Sequence, residues 1–144
     1  MNHADVLIVE DSPSDVEMIM DSLQESKLNI RTLILKDGAE AIDYFFNTNG
    51  KFLRDKAHPK LVLLDLKLPK VSGLEVLKKL KSSNETKHIP VVVFTSSDET
   101  QDRMDSYKLG ANSYLLKPSD ADEFSKFIVQ IMNYWTRINA NARH

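Results

Sequence analysis

The chain has 144 residues, of which 42% are hydrophobic and 28% charged, a formal net charge of −2 and no cysteine. Its length and composition fit one soluble domain that can bury a core without staples, and its near-neutral charge lacks the basic stripe of a nucleic-acid binder. Disulfides, thiolate nucleophiles and cysteine-based metal sites are excluded, and no apolar run approaches the roughly 18 residues of a membrane span.

The first residues, MNHAD, lack the basic start of a signal peptide, so a cytoplasmic location is expected. A short apolar strand, DVLIVE (5–10), comes next. SPSD (12–15) places a cap residue three before an acid, with Pro13 at the first helical position. The helix it opens, 14–26, sets Val16, Ile19, Met20 and Leu23 at helical spacing. IRTLIL (30–35) is the second strand, and DGAE (37–40) starts the second helix. TNGKFLRDKAH (48–58) fits neither pattern and reads as a long surface loop. KLVLLD (60–65) is the third strand and SGLE (72–75) the start of the third helix. PVVVFT (90–95) is followed by a weakly patterned helix, about 98–109, which Gly110 ends. SYLLK (113–117) is the fifth strand, and SDAD (119–122) opens the last helix, 120–138. Its apolar stripe is Phe124, Phe127, Ile128, Ile131, Trp135 and Ile138. Residues 1–138 form one domain and 139–144 a tail.

Five such strand–helix pairs imply an α/β fold with a parallel sheet covered by helices on both faces. The nearly continuous apolar strands agree, because strands of such a sheet are buried on both sides. In an open parallel sheet, ligands bind beyond the carboxyl ends of the strands. Those ends carry Glu10 and Asp11, then Lys36 and Asp37, then Asp65, then Thr95 with Ser96 and Ser97, then Lys117. Three carboxylates gathered together repel one another and need a cation. An oxygen-only set favours Mg²⁺ over zinc. A metal, an ammonium and a hydroxyl around negative charge suit a phosphoryl group, and a carboxylate can be its nucleophile. Asp65 is the best placed, because the third strand would lie between Glu10–Asp11 and Thr95. Each residue also has a plainer reading. Asp65 can be a buried carboxylate satisfied by hydrogen bonds, Glu10 and Asp11 can be helix-capping acids, Thr95 a strand former, Lys117 a surface lysine and Tyr114 core packing.

The stretches VLIVEDSPSD, LVLLDLKLPKVSGLEVL, IPVVVFTSS and GANSYLLKP, in this order, resemble the receiver domain of two-component response regulators. The resemblance covers nearly the whole chain short of its tail. It implies a flavodoxin-like (βα)5 three-layer sandwich with a parallel sheet in the order 2-1-3-4-5. It implies that Asp65 is the phosphoacceptor, and that Glu10, Asp11, Asp65 and the backbone carbonyl of Lys67 hold Mg²⁺. Thr95 and Lys117 would bind the phosphoryl group, and Tyr114 would be the aromatic that turns inward when Thr95 moves. The Lys117–Pro118 bond is often cis in the family. The donor would be a histidine kinase or a histidine phosphotransfer protein, and output would come from binding another protein. The long loop before the third strand is also similar to that of the single-domain regulators serving bacterial phytochromes. Lys67 departs from the neutral or small polar residue common two positions after the phosphoacceptor, and would shield the phosphoryl group from water. Val129 and Met132 lie beside the apolar stripe of the last helix, either as ordinary scattered surface hydrophobes or as a contact face for a partner or a second copy. His3, His58, His88 and His144 receive no role. Two other readings compete: an unphosphorylated interaction module on the same fold, and an aspartate-nucleophile phosphohydrolase. The second expects an acid where Lys67 stands, and no GxxxxGK[ST] or GxGxxG loop supports a nucleotide-binding alternative.

Overall fold

A computed structural model of the chain describes residues 3–53 and 58–142. Its strands are β1 (Val6–Val9), β2 (Thr32–Leu35), β3 (Leu61–Leu64), β4 (Val91–Thr95) and β5 (Ser113–Leu116). Its helices are α1 (Pro13–Ser26), α2 (Gly38–Phe45), α3 (Gly73–Ser82), α4 (Thr100–Lys108) and α5 (Ala121–Asn133), with a π-helical turn at Tyr134–Ile138. The strands are all parallel, in the order β2-β1-β3-β4-β5.

Side chains alternate across each strand, so every apolar strand serves two cores. Leu7, Val9, Val62, Leu64, Val91 and Val93 face α2 and α3, where they meet Phe45, Val76, Leu77 and Leu80. Val6, Ile8, Leu61, Leu63, Val92 and Phe94 face α1 and α5, against Ile19, Leu23, Phe124, Ile128 and Ile131.

The helix starts follow their caps. Ser12, Asp37 and Ser72 accept from the backbone N–H of Asp15, Glu40 and Glu75. The last cap lies one residue later than SDAD suggests: Asp120 accepts from Glu123 N–H. The weakly patterned α4 has no side-chain cap and buries only Ser106, which is why its apolar signal is faint. It ends before Gly110, at φ 107°, where a left-handed backbone favours glycine.

Three expectations are corrected. Met132 is fully buried in the core, so the contact face proposed for the last helix loses it. Because α1 lies along α5, the buried stripe is wider than a solvent-facing helix would have, and the two meet at a 2.7 Å Ser22–Ser125 hydroxyl contact. Ile138, expected in the stripe, is 63% exposed, because the wider π-helical turn rotates it out of phase with α5. The Lys117–Pro118 bond is trans. The loop before β3 also holds some order: Phe46 and Phe52 form an antiparallel bridge, while its residues 54–57 lie outside the described residues, as do 143–144 of the tail.

The loop after β3 is pinned by glycines at the starts of α2 and α3. A Cβ on Gly73 would stand 2.3 Å from the Asp65 carbonyl oxygen, and one on Gly38 would stand 1.8 Å from that of Val71. Gly73 N–H also donates to Leu66 O at 3.0 Å. The close approach that only glycine allows fixes the backbone leaving Asp65.

Candidate functional site

The strand register assembles the site. Val9 pairs with Leu64, so Glu10 and Asp65 leave the sheet side by side. Leu64 pairs with Val93 and Thr95 with Leu116, which brings Thr95 and Lys117 to the same edge. Asp37, at the end of β2, caps α2 and pairs with Lys70 at 3.5 Å.

Lys117 occupies the centre. Its Nζ donates to Glu10 Oε1 at 2.6 Å, Asp15 Oδ2 at 2.7 Å and Asp65 Oδ2 at 2.9 Å. Asp65 Oδ1 accepts from Lys67 N–H at 3.2 Å, and Glu10 Oε2 from Ser12 N–H at 3.2 Å. Glu10, Asp65 and Thr95 are buried, at 3%, 6% and 0% exposure, whereas Asp11 and the Lys67 side chain face solvent.

Burial and the charge of its neighbours set each proton affinity. Burial, then the adjacent Asp65 charge, pushes Glu10 up to about 7, against the Lys117 and Ser12 donors. Burial also pushes Asp65 up, but donors from Lys117, Thr95 and the Lys67 backbone outweigh it and hold its carboxyl below the usual range. Burial works against the Lys117 ammonium, and the carboxylates of Asp15, Glu10 and Asp65 more than reverse this, raising it well above an ordinary lysine.

One ligand oxygen from each of Glu10, Asp11 and Asp65 can be chosen so that all lie within 4.8 Å of one another. The donors are all hard carboxylate oxygens, which fit a divalent cation such as Mg²⁺ and give zinc no soft ligand. The rim is connected to β5. Ser97 N–H donates to Thr95 Oγ1 at 3.4 Å, Ser97 Oγ to the Asp102 carboxylate, and the Tyr114 hydroxyl to Ser97 O at 2.8 Å. Tyr114 is buried, and its ring lies 5.9 Å from the Arg103 guanidinium.

Asp15 was missed as a site residue. In the sequence it reads as the acid of a capping box, which would return its carboxylate to Ser12 N–H. That N–H goes to Glu10 instead, and the Asp15 carboxylate turns to Lys117. The available signal was its place in the first turn of the helix entered directly from Glu10–Asp11. His58 and His88, which carry no local sequence signal, meet at the opposite edge of the sheet with ring nitrogens 2.9 Å apart.

The model of the response regulator receiver domain matches residues 6–129. Response regulator Rcp1 of Synechocystis sp. is 37% identical over 130 residues, covering 90% of this chain and 87% of that protein. The crystal structure of the phosphorylated cyanobacterial phytochrome response regulator RcpA superposes with a TM-score of 0.86 at 31% identity, over 98% of this chain and 99% of that one. The Mn²⁺-bound form of Rcp1 superposes with a TM-score of 0.84 at 33% identity, over 96% and 98%.

Proposed function

The chain belongs to the response regulator receiver domain family, whose members accept phosphoryl groups in two-component signalling, and from that premise we propose that Asp65 is its phosphoacceptor. The observation that carries this reading is the ammonium of Lys117 held 2.9 Å from the carboxylate of Asp65, beside Glu10 and Asp11. Glu10, Asp11, Asp65 and the backbone carbonyl of Lys67 would hold Mg²⁺, the class of ion suggested by the Mn²⁺-bound relative. Such a cation neutralises the charge that gathers on the phosphoryl oxygens. The chain's own residues do the rest. One Asp65 oxygen attacks the phosphorus of a phosphohistidine on a histidine kinase or phosphotransfer protein. The P–N bond breaks, its electron pair returns to the imidazole, and an acyl phosphate remains on Asp65.

The product adds negative charge beside Lys117 and Thr95. Lys117 donates to the new oxygens and Thr95 moves its hydroxyl to them. Thr95 is tied through Ser97 to Tyr114. Its movement therefore reaches β5 and α4, where Tyr114 acts as the switch aromatic. The protein is a switch rather than a turnover enzyme, acts in the cytoplasm, and signals by binding a downstream protein or a second copy of itself. The exposed Lys67 side chain can fold over the phosphoryl group and slow hydrolysis. Lys67→Asn should then shorten the lifetime of the acyl phosphate, and an unchanged decay rate would remove that role.

Intact-protein mass spectrometry after incubation with acetyl phosphate or a phosphorylated phosphotransfer protein, with Mg²⁺, tests the reading. A single phosphoryl adduct is expected, lost in Asp65→Asn and lost with chelator. An adduct that survives Asp65→Asn, or none from either donor, would overturn it.

A further inference from the structure

An ammonium has three protons, and at Lys117 three carboxylates take them. Two of the three, Glu10 and Asp65, also share the cation-binding group with Asp11. Asp15 stands outside that group. A bound cation draws on Glu10 and Asp65, and a phosphoryl group on Asp65 then needs a Lys117 proton. Lys117 must change partners, and the one carboxylate that neither event removes is Asp15. Its hold is firm: the contact is 2.7 Å, and α1 fixes it from the helix's first turn, where its own N–H donates to the Ser12 cap.

We propose that Asp15 is a positioning residue that keeps one Lys117 proton from the phosphoryl group, and so sets how readily the site takes up and retains phosphoryl. The inference rests on Asp65 as phosphoacceptor and deepens it. Asp15 acts in two ways with the same sign toward an anion. It occupies a donor the phosphoryl oxygens would use, and it places a fixed negative charge beside them. Toward a cation the sign reverses. Its charge attracts the cation directly, and its hold on Lys117 weakens that ammonium's competition for Glu10 and Asp65. An acid that merely complements the α1 dipole would affect helix stability and neither ligand in this opposed way.

The test is calorimetric titration of wild type, Asp15→Asn and Asp15→Glu, first with Mg²⁺ alone and then with beryllofluoride, a phosphoryl analogue, at saturating Mg²⁺. Circular dichroism melts establish that each variant is folded. Asp15→Asn should bind Mg²⁺ more weakly and beryllofluoride more tightly, each by about three- to tenfold for a partly solvated charge at this range. Asp15→Glu restores the carboxylate and should return both values toward wild type. Unchanged affinities, or both moving in the same direction, would overturn the role of Asp15 while leaving Asp65 in place. Wild type that binds no beryllofluoride with Mg²⁺ present would overturn the phosphoacceptor reading, and this inference with it.

Discussion

Two lysines at opposite edges of one sheet have been put to opposite uses. Lys117, at the carboxyl edge, and Lys81, at the amino edge, are both half-buried, and each donates to three oxygens. The oxygens differ. Lys117 meets carboxylates of Glu10, Asp15 and Asp65. Lys81 meets the neutral Lys87 O at 3.0 Å, Ile89 O at 2.7 Å and Asn112 Oδ1 at 3.0 Å. Burial disfavours both ammonium groups. It pulls Lys81 down to about 8, while the carboxylates drive Lys117 the other way. Partner charge, not burial, decides the outcome. The partners also differ in whether they can be taken away. On the proposed function, a cation or a phosphoryl group draws the carboxylates from Lys117. The oxygens around Lys81 belong to the α3–β4 and α4–β5 connections, so that lysine is a fixed staple.

Lys117→Met breaks the comparison hardest. It leaves buried carboxylates without their counter-ion and should cost about 3 kcal/mol in urea unfolding, the low end for an orphaned buried charge because the site opens to solvent. Mg²⁺ should recover part of that loss and stabilise the variant more than wild type. A variant as stable as wild type without metal would show that the carboxylates are relaxed by solvent alone. Lys81→Met comes next. It strips the donor from three oxygens and should cost about 2 kcal/mol, with no response to Mg²⁺. The staple is therefore separable from the site by a single divalent-ion titration.

The two edges should also answer to pH differently. A protonated Glu10 cannot ligate a cation, so Mg²⁺ affinity should fall as pH drops through about 7, by at most about tenfold per unit. At the amino edge, Lys81 binds its proton less tightly in the folded state than its ordinary value of 10.5. The unfolded chain then holds more protons between about 8 and 10.5, and stability from this group rises with pH across that window. All three acceptors favour the charged form, so the slope should lie well under about 1.4 kcal/mol per unit. The slope of wild type minus that of Lys81→Met measures it, and a difference of zero would mean that the three oxygens cancel burial entirely.

Much of the fold was legible because its signals are local. Apolar runs, cap residues and helical spacing each lie within one turn or one strand, and the β–α alternation they give requires a parallel sheet. The strand ends that carry Glu10, Asp11, Asp65, Thr95 and Lys117 were readable for the same reason. The strand order was legible only through the likeness of four motifs to a family, since no local pattern says which strand lies beside which.

The rest depended on which distant segments meet. Asp15 looks like a capping acid until β5 brings Lys117, from 102 positions away, to its carboxylate. His58 and His88 stand 30 positions apart in the chain and in contact in the fold. Met132 falls beside the expected stripe of its helix and is buried because α1 covers that flank. By itself, the sequence determined which segments form strands and helices and which groups stand at their ends. Only the tertiary structure decided which charges become partners. A propensity acts over a few residues, whereas a charge is satisfied by whatever the folded chain places within about 3 Å of it.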